Sequence, residues 1–122
     1  MAEGPPHRLG LERNRRIKQS RDFARLREKG RRLPGVSFIA NWDRLPSGSR
    51  SRVGVITSGK LGNAVRRSRA RRLLREVFRI HQYELAHPVD LVLVARQSLI
   101  SKGFAGLEKD FLTTMRKAGL LK

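Results

Sequence analysis

The segment 60–79 carries apolar residues at the spacing of a helix with one buried face. They recur at i, i+3, i+4, i+7 and i+8, which is the stripe that a helix packs against a sheet. The stripe consists of Ala70, Leu73, Leu74, Val77 and Phe78. This pattern predicts a helix over residues 65–83, around which the rest of the chain is organised.

Two further helices are predicted near the ends of the chain. The first covers residues 20–29, with Ser20 as its N-cap and Gly30 as its stop signal. The last covers residues 104–118 and ends at Gly119. The residues expected to face inward are Phe23 and Leu26 in the first helix, and Leu107, Phe111 and Met115 in the last.

The sequence predicts three strands. Residues 33–42 alternate between apolar and other side chains, which is the period of a strand, and residues 52–57 follow a turn-rich segment as its antiparallel partner. Residues 89–95 are almost uninterruptedly apolar, which predicts a central strand covered on both faces. In the first of these strands, Val36, Phe38, Ala40 and Trp42 alternate with Ser37, Ile39 and Asn41.

Strand 52–57, the middle helix and strand 89–95 form a β-α-β unit. Together with the helices at both ends, this order predicts the α+β class, in which a small mixed sheet packs against helices as a two-layer sandwich. If the two strands are parallel neighbours, the general rule predicts a right-handed crossover.

The composition indicates one domain that meets a polyanion. The chain has 122 residues, 28 lysines and arginines, 10 acidic residues and a formal net charge of +18. Residues 1–19 are predicted to form a basic, flexible N-terminal arm, and residues 20–122 a single domain. The chain has no cysteine, no apolar run long enough to span a membrane and no apolar core of a signal peptide after Met1, which favours a cytoplasmic protein without a membrane partner.

The face of the middle helix opposite the apolar stripe is crowded with arginine, and only Glu76 dilutes it. Like charges three or four residues apart destabilise a helix, so an external partner is expected to supply the anions. Because the guanidinium fork matches phosphate, a nucleic acid is the favoured partner, and a solvated basic face without special purpose is the alternative. The polar and basic residues of this face and its flanks are Arg66, Arg67, Ser68, Arg69, Arg71, Arg72, Arg75 and Arg79.

A catalytic group is not apparent in the sequence. Residues 54–60 approach the spacing of a phosphate-binding loop, but Leu61 follows where Mg²⁺ requires a hydroxyl, which argues against a nucleotide hydrolase. The histidines lack the spacing of metal ligands, and His81 is expected on the helix surface. Five carboxylates are each accounted for by a cap, a turn or an ion pair, namely Asp22, Asp43, Glu76, Asp90 and Asp110.

Three aromatic side chains could either stack on bases or fill the core. Phe23 fits both interpretations equally, since one face of a short helix over a sheet can be buried or can line a cleft. Trp42 is expected in the core, and periodicity alone leaves both interpretations open for Phe38.

The stretch from Lys60 to Glu76 resembles the signature of the bacterial ribonuclease P protein subunit, and the resemblance extends over most of the chain. It implies the fold of the second domain of ribosomal protein S5, with elements in the order α-β-β-β-α-β-α and a left-handed crossover, which we prefer to the general rule. It also implies a protein cofactor that binds a catalytic RNA and precursor tRNA. The RNA and its Mg²⁺ ions would then remove the 5′ leader, with no protein partner required.

Two sets of site residues follow from the resemblance. Those expected to bind the catalytic RNA are Lys60, Asn63, Arg66, Arg67, Ser68, Arg69, Arg71, Arg72 and Arg75. Those expected to bind the 5′ leader, in a cleft between the first helix and the sheet, are Arg15, Phe23, Arg27, Phe38 and Asn41. The chain departs from the family at Ser68, which replaces an asparagine, and at Arg27 and Asn41, which replace aromatic residues, so leader contact would depend more on charge than on stacking.

Two other functions stay open from the residues alone. A ribosomal or ribosome-assembly protein could use a similar α+β module to bind RNA without any nuclease role. A protein enzyme that cuts RNA unaided is the third possibility, and activity in the absence of any RNA subunit would identify it.

Overall fold

The computed structural model describes residues 15–122, which form three helices and one four-stranded sheet. The elements are α1 (Ser20–Lys29), β1 (Arg31–Pro34), β2 (Phe38–Arg44), β3 (Arg52–Ile56), α2 (Ala64–His81), β4 (Val89–Ala95) and α3 (Ser98–Lys117). Short 3₁₀ turns, Gly59–Leu61 and Gln82–Glu84, flank α2. The predicted α+β class and the order α-β-β-β-α-β-α are confirmed.

The sheet has the strand order β1-β2-β4-β3. Strand β4 pairs antiparallel with β2 on one side and parallel with β3 on the other. The prediction that residues 33–42 and 52–57 pair with each other is therefore wrong. The central position goes to β4 because both of its faces are apolar, as predicted, whereas β3 carries Arg52 and the partly exposed Ile56 at its ends.

Residues 33–42 form two strands rather than one. Strand β1 ends at Pro34, and residues 35–37 turn the chain back into β2, with the Gly35 N–H donating to the Phe38 carbonyl at 2.7 Å. Val36 lies in this turn with 58% of its surface exposed, so it does not continue the buried face of β2. Its carbonyl accepts a hydrogen bond from Ser98 Oγ at 2.7 Å, which ties the turn to the start of α3.

The main core lies between one face of the sheet and the helices α2 and α3. The apolar stripe of α2 points into it as predicted, with Leu73 at its margin. Helix α1 lies on the opposite face of the sheet, over a smaller apolar cluster. That cluster consists of Ile17, Leu26 and Val92, with Phe23 and Val94 packed against them.

The ends of α1 depart from the predicted capping. Gln19 occupies the N-cap position and no side chain caps the helix, so the predicted role of Ser20 is wrong. Gly30 ends the helix as predicted, but in an extended conformation. A Cβ atom there would lie 2.5 Å from the Leu26 carbonyl oxygen and 2.8 Å from that of Trp42, so the close approach of backbone requires glycine.

Helix α3 starts six residues earlier than predicted, at Ser98, and is broken at Gly103. Gly103 has φ 69° and ψ −171°, so the predicted start at residue 104 matches the segment after the break. The predicted end at Gly119 is confirmed, since Gly119 has φ 74° and the Leu120 N–H donates to the Met115 carbonyl at 2.9 Å.

The N-terminal segment joins the fold before the predicted boundary at residue 20. Ile17 is 5% exposed, and its N–H donates to the Val53 carbonyl at 2.8 Å, beside the outer edge of β3. Residues 1–14 of the predicted arm lie outside the described residues. Packing against β3 therefore fixes the position of Arg16, which would otherwise count as part of the arm.

Candidate nucleic-acid interface

The loop before α2 directs the first basic side chains of the helix. Gly62 has φ 121°, a left-handed conformation that favours glycine. Asn63 Oδ1 accepts the Arg66 N–H at 3.0 Å and so caps the helix, a structural role in addition to its predicted contact with RNA. Arg66 Nε donates to the Leu61 carbonyl at 2.9 Å, and Arg67 Nη1 donates to the Gly62 carbonyl at 2.6 Å. Both guanidinium groups are thus oriented by the loop.

The outward surface of α2 is a basic depression of about 290 Å³, which we call the α2 basic face. It is lined by Arg16, Ser68, Arg71, Arg72, Arg75, Glu76 and Arg79. Arg71 Nη1 donates to Thr57 Oγ1 at 2.8 Å, which ties this side chain to the end of β3. The pKa of Arg75 is lowered by burial and by the positive charges of Arg16 and Arg71. Such crowding of like charges favours the approach of an anion.

Among residues 15–122, most arginines of α2 have no carboxylate partner. Arg79 is the exception, because its guanidinium group donates to both oxygens of Glu76, at 2.9 and 2.7 Å. This pairing lowers the pKa of Glu76 and raises that of Arg79. Within residues 15–122, the side chains of Arg69, Arg72 and Arg75 make no hydrogen bond or ion pair. In the part of the chain that the structure describes, these arginines thus stay available for the external anion inferred from the sequence.

The other predicted ligands of the catalytic RNA lie on α2 or in the turn before it. Ser68 lines the α2 basic face, and Arg69 is the next residue on the same helix and is exposed. Lys60 is exposed in the 3₁₀ turn that precedes α2, and its carbonyl accepts a hydrogen bond from Gln97 Nε2 at 3.1 Å. The fold thus gathers the predicted set along one helix and the loop before it.

A second candidate surface is a cleft of about 280 Å³ between α1 and the sheet, which we call the α1 cleft. Its floor is apolar, and basic and amide groups stand at its sides. The lining residues are Phe23, Leu26, Arg27, Arg32, Ile39, Asn41, Ile56, Val92 and Val94. The ring of Phe23 lies over β3, where a Cβ atom on Gly54 would come within 2.8 Å of it. Phe23 is therefore both packed on the sheet and part of the cleft wall.

Three of the five predicted leader ligands line the α1 cleft, namely Phe23, Arg27 and Asn41. The prediction for Phe38 is wrong, because its side chain is fully buried in the main core and lies 6.2 Å from Phe111 between ring centroids. Successive side chains of a strand point to opposite faces, so Phe38 lies on the same face as Trp42, the face covered by α2 and α3. Trp42 is buried as predicted.

Arg15 also lies outside the lining of the cleft. It is 8% exposed, and its Nε donates to the Ser51 carbonyl at 2.8 Å. The resemblance did not identify Arg32, Ile39 or Ile56 as part of the cleft. Alternation along β2 could have identified Ile39, since residues two apart on a strand, such as Ile39 and Asn41, lie on the same face of the sheet.

Five charged residues form a cluster at one end of the α1 cleft. Asp90, fully buried at the start of β4, accepts hydrogen bonds from Arg25 Nη2 at 2.6 Å and from Arg52 Nε and Nη2 at 2.8 and 2.7 Å. Arg25 Nη1 also donates to Asp43 Oδ2 at 2.8 Å. Asp22 lies 3.8 Å from Arg25 and 3.7 Å from Arg52. The pKa of Arg52 is raised, chiefly by its hydrogen bond with Asp90.

His81 lies in the core rather than on the helix surface, which corrects the prediction. It is 8% exposed, its ring stacks on Phe111 with 6.0 Å between centroids, and its Nε2 lies 2.8 Å from Glu108. Its Nδ1 contacts Glu84. Burial lowers the pKa of His81, but the hydrogen bonds with Glu108 and Glu84 outweigh it, so the pKa is raised. The imidazole ring thus links the C-terminal end of α2 to α3.

Residues 15–122 contain neither a candidate membrane span nor a candidate metal cluster. None of the helices there is long and apolar enough to cross a membrane. Among the same residues, no group of three or more histidine, aspartate or glutamate side chains could hold a metal ion.

Comparison with known proteins identifies one family. The sequence model of the family Ribonuclease P matches residues 11–119. The ribonuclease P protein component of Syntrophomonas wolfei is 39% identical over 114 residues, which cover 90% of this chain and 92% of that protein. The corresponding protein of Thermus aquaticus is 37% identical over 122 residues, which cover all of this chain and 70% of that protein.

Solved structures agree with the sequence comparison. A Staphylococcus aureus RNase P protein, a mutant with defective mRNA degradation activity, is similar with a TM-score of 0.82 and 27% identity over 91% of this chain and 93% of that one. The RNase P protein of Thermotoga maritima has a TM-score of 0.73 and 25% identity over 84% of this chain and 96% of that one.

Proposed function

Because the chain belongs to the ribonuclease P protein family, we propose that it binds two RNAs, the catalytic RNA on the α2 basic face and the 5′ leader of precursor tRNA in the α1 cleft. The chain is thus a tRNA-processing component of a ribonucleoprotein endoribonuclease. The observation that carries the proposal is the set of arginines on α2 that lack a carboxylate partner within residues 15–122.

Binding of the catalytic RNA is supported by the charge and shape of the α2 basic face. Arg72 and Arg75 present guanidinium groups that can each hold a phosphate by two parallel hydrogen bonds. Neutralising backbone phosphates releases counterions, which makes such binding strong at low salt and weak at high salt. Ser68 supplies a hydroxyl where the family has an asparagine, so it can donate one hydrogen bond to a phosphate oxygen.

Binding of the leader is supported by the composition of the α1 cleft. A single strand needs a stacking surface for its bases and cations for its backbone. Phe23 and the apolar floor provide the former, and Arg27 and Arg32 provide the latter. Asn41 adds an amide that can donate to and accept from a base edge.

Hydrolysis is assigned to the RNA subunit with its Mg²⁺ ions, as the family resemblance implies. In this assignment the protein contributes affinity and positioning, and its side chains touch no reacting atom. We also place the assembly in the cytoplasm, with no further protein partner required.

Reconstitution tests the proposal. The purified chain combined with a bacterial ribonuclease P RNA is expected to cleave precursor tRNA at a low Mg²⁺ concentration at which the RNA alone is slow. Cleavage by the protein without RNA would refute the assignment of catalysis to RNA. If the chain bound ribosomal RNA but left cleavage by the catalytic RNA unchanged, a ribosomal or assembly role would replace the proposal.

A substitution in the cleft tests the leader site. Phe23→Ala is expected to weaken the affinity of the holoenzyme for leader-bearing tRNA, while its affinity for mature tRNA and for the catalytic RNA is retained. Phe104→Ala is a matched control, because Phe104 is likewise partly buried but lies on α3, away from the cleft. Equal losses of leader affinity in the two variants would exclude Phe23 from the site.

A further inference from the structure

The charged cluster beside the α1 cleft joins four elements of the fold. Asp43 on β2 and Asp90 on β4 are direct partners in the antiparallel register, where two carboxylates would repel each other. Arg25 of α1 bridges them, with Nη1 on Asp43 and Nη2 on Asp90. One guanidinium group thus holds the helix over two strands. Arg52 of β3 donates to Asp90 from the other side and lies 3.7 Å from Asp22 of α1, which is a second ionic contact of the helix.

Helix α1 has few other attachments. It is 10 residues long, and Leu26 is its only fully buried residue. An isolated helix of this length is marginal in water, so its position depends on tertiary contacts. Phe23 and Arg27 stand two residues to either side of Arg25 and line the cleft. Any tilt of α1 allowed by loss of the bridge would move both of them relative to the cleft floor.

The cluster also adjoins the floor of the cleft. Asp90 and Val92 are two residues apart on β4, so their side chains lie on the same face of the sheet. Val92 and Val94 continue along that face as cleft floor. The ionic bridge thus stands at the end of the strand segment over which a leader would lie.

We propose that Arg25, Asp43 and Asp90 are positioning residues, which set the spacing between the Phe23 wall and the floor of the α1 cleft. This inference rests on the proposed binding of the leader in that cleft. The three residues act through Phe23 and Arg27 and need not touch the RNA themselves.

The sharpest test is Asp43→Ala, because the change in net charge and the loss of positioning predict opposite changes in RNA affinity. Removal of a carboxylate makes the protein more positive, which by itself would tighten RNA binding. We define the leader contribution as the dissociation constant of the holoenzyme for mature tRNA divided by that for leader-bearing tRNA. A positioning role predicts that this ratio falls by up to about fivefold in Asp43→Ala, as expected for loss of a part-exposed ion pair. Cleavage at saturating substrate should stay unchanged, because the reacting atoms lie elsewhere.

Glu28→Ala is the matched control. Glu28 is exposed on α1, has no ion pair within residues 15–122, and its removal changes the net charge by the same amount. It should leave the leader contribution unchanged or raise it slightly. Circular dichroism and the melting temperature of each variant verify folding, and if Asp43→Ala unfolds, Arg25→Lys provides the test. A lysine keeps the charge but cannot hold both carboxylates, so it should also lower the leader contribution.

The outcomes separate the inference from the proposed function. If the native holoenzyme shows no leader contribution, leader binding in the cleft is wrong and the inference is overturned with it. If the native contribution exists and folded Asp43→Ala or Arg25→Lys keeps it, only the inference is overturned. A loss in Asp43→Ala that Glu28→Ala does not share supports it.

Discussion

Substitution of Arg72 by glutamine offers a direct test of the α2 basic face. Arg72 is exposed in the middle of α2, and within residues 15–122 its guanidinium group has no partner. Glutamine preserves the helix and much of the side-chain length while removing the charge. The free energy of unfolding is therefore expected to change by no more than about 0.5 kcal/mol. Any larger effect on RNA binding must then come from the interface.

The magnitude follows from counterion release. If Arg72 neutralises one phosphate, its loss should lower the slope of log affinity against log salt by about 0.7 to 0.9. Raising the salt from about 50 to 200 mM would then weaken the native protein about threefold more than the variant. Filter binding of the catalytic RNA across a salt series measures both slopes.

The double variant Glu76→Gln, Arg79→Gln is the control for this measurement. It removes a positive and a negative charge that already neutralise each other on the same face. The salt slope should therefore stay at the native value. An unchanged slope for Arg72→Gln, or an equal reduction in the double variant, would refute the reasoning that unneutralised arginines of α2 bind phosphate.

Three further predictions concern the fold. Phe38→Ala should lower the free energy of unfolding by about 3–5 kcal/mol in denaturant titrations, because the ring is fully buried, and a loss below about 1 kcal/mol would contradict its position. The pKa of His81 is raised in the folded protein, so its stabilisation is complete below about pH 6.5 and is lost as the pH rises through the folded-state value. The difference in melting temperature between the native protein and His81→Gln should accordingly shrink at alkaline pH, and a difference that grows would contradict this. Gly30→Ala should lower the melting temperature, because its Cβ atom would lie 2.5 Å from a backbone oxygen. Gly59→Ala is the control and should leave the melting temperature unchanged, because a Cβ atom at Gly59 has open space around it. Similar melting temperatures for the two variants would contradict the close approach at Gly30.

The leader site could be predicted only in part from the sequence. The resemblance identified Phe23, Arg27 and Asn41, which do line the α1 cleft. It also assigned Phe38 to the leader site, although Phe38 and Asn41 are three residues apart on one strand. Their side chains therefore lie on opposite faces of the sheet and cannot face the same cleft. Period-two alternation alone groups Phe38 with Trp42, and the structure has both in the main core.

The sequence by itself determined the helices, most strand segments and the two faces of α2. These depend on the spacing of apolar and charged residues within one element, and on local signals such as Gly119 after α3. The sequence likewise predicted the basic character of the α2 face, because a helix with one carboxylate among so many arginines cannot neutralise itself.

Only the tertiary structure decided which segments meet. Strand β4 separates β2 from β3, Arg25 reaches Asp90 across 65 residues, and His81 reaches Glu108 across 27. No local pattern specifies such pairs, because strand order and charge pairing are settled by the whole chain. A strand that is apolar on both faces gains most from the central position, and a buried carboxylate is tolerated only where cations from other elements converge on it.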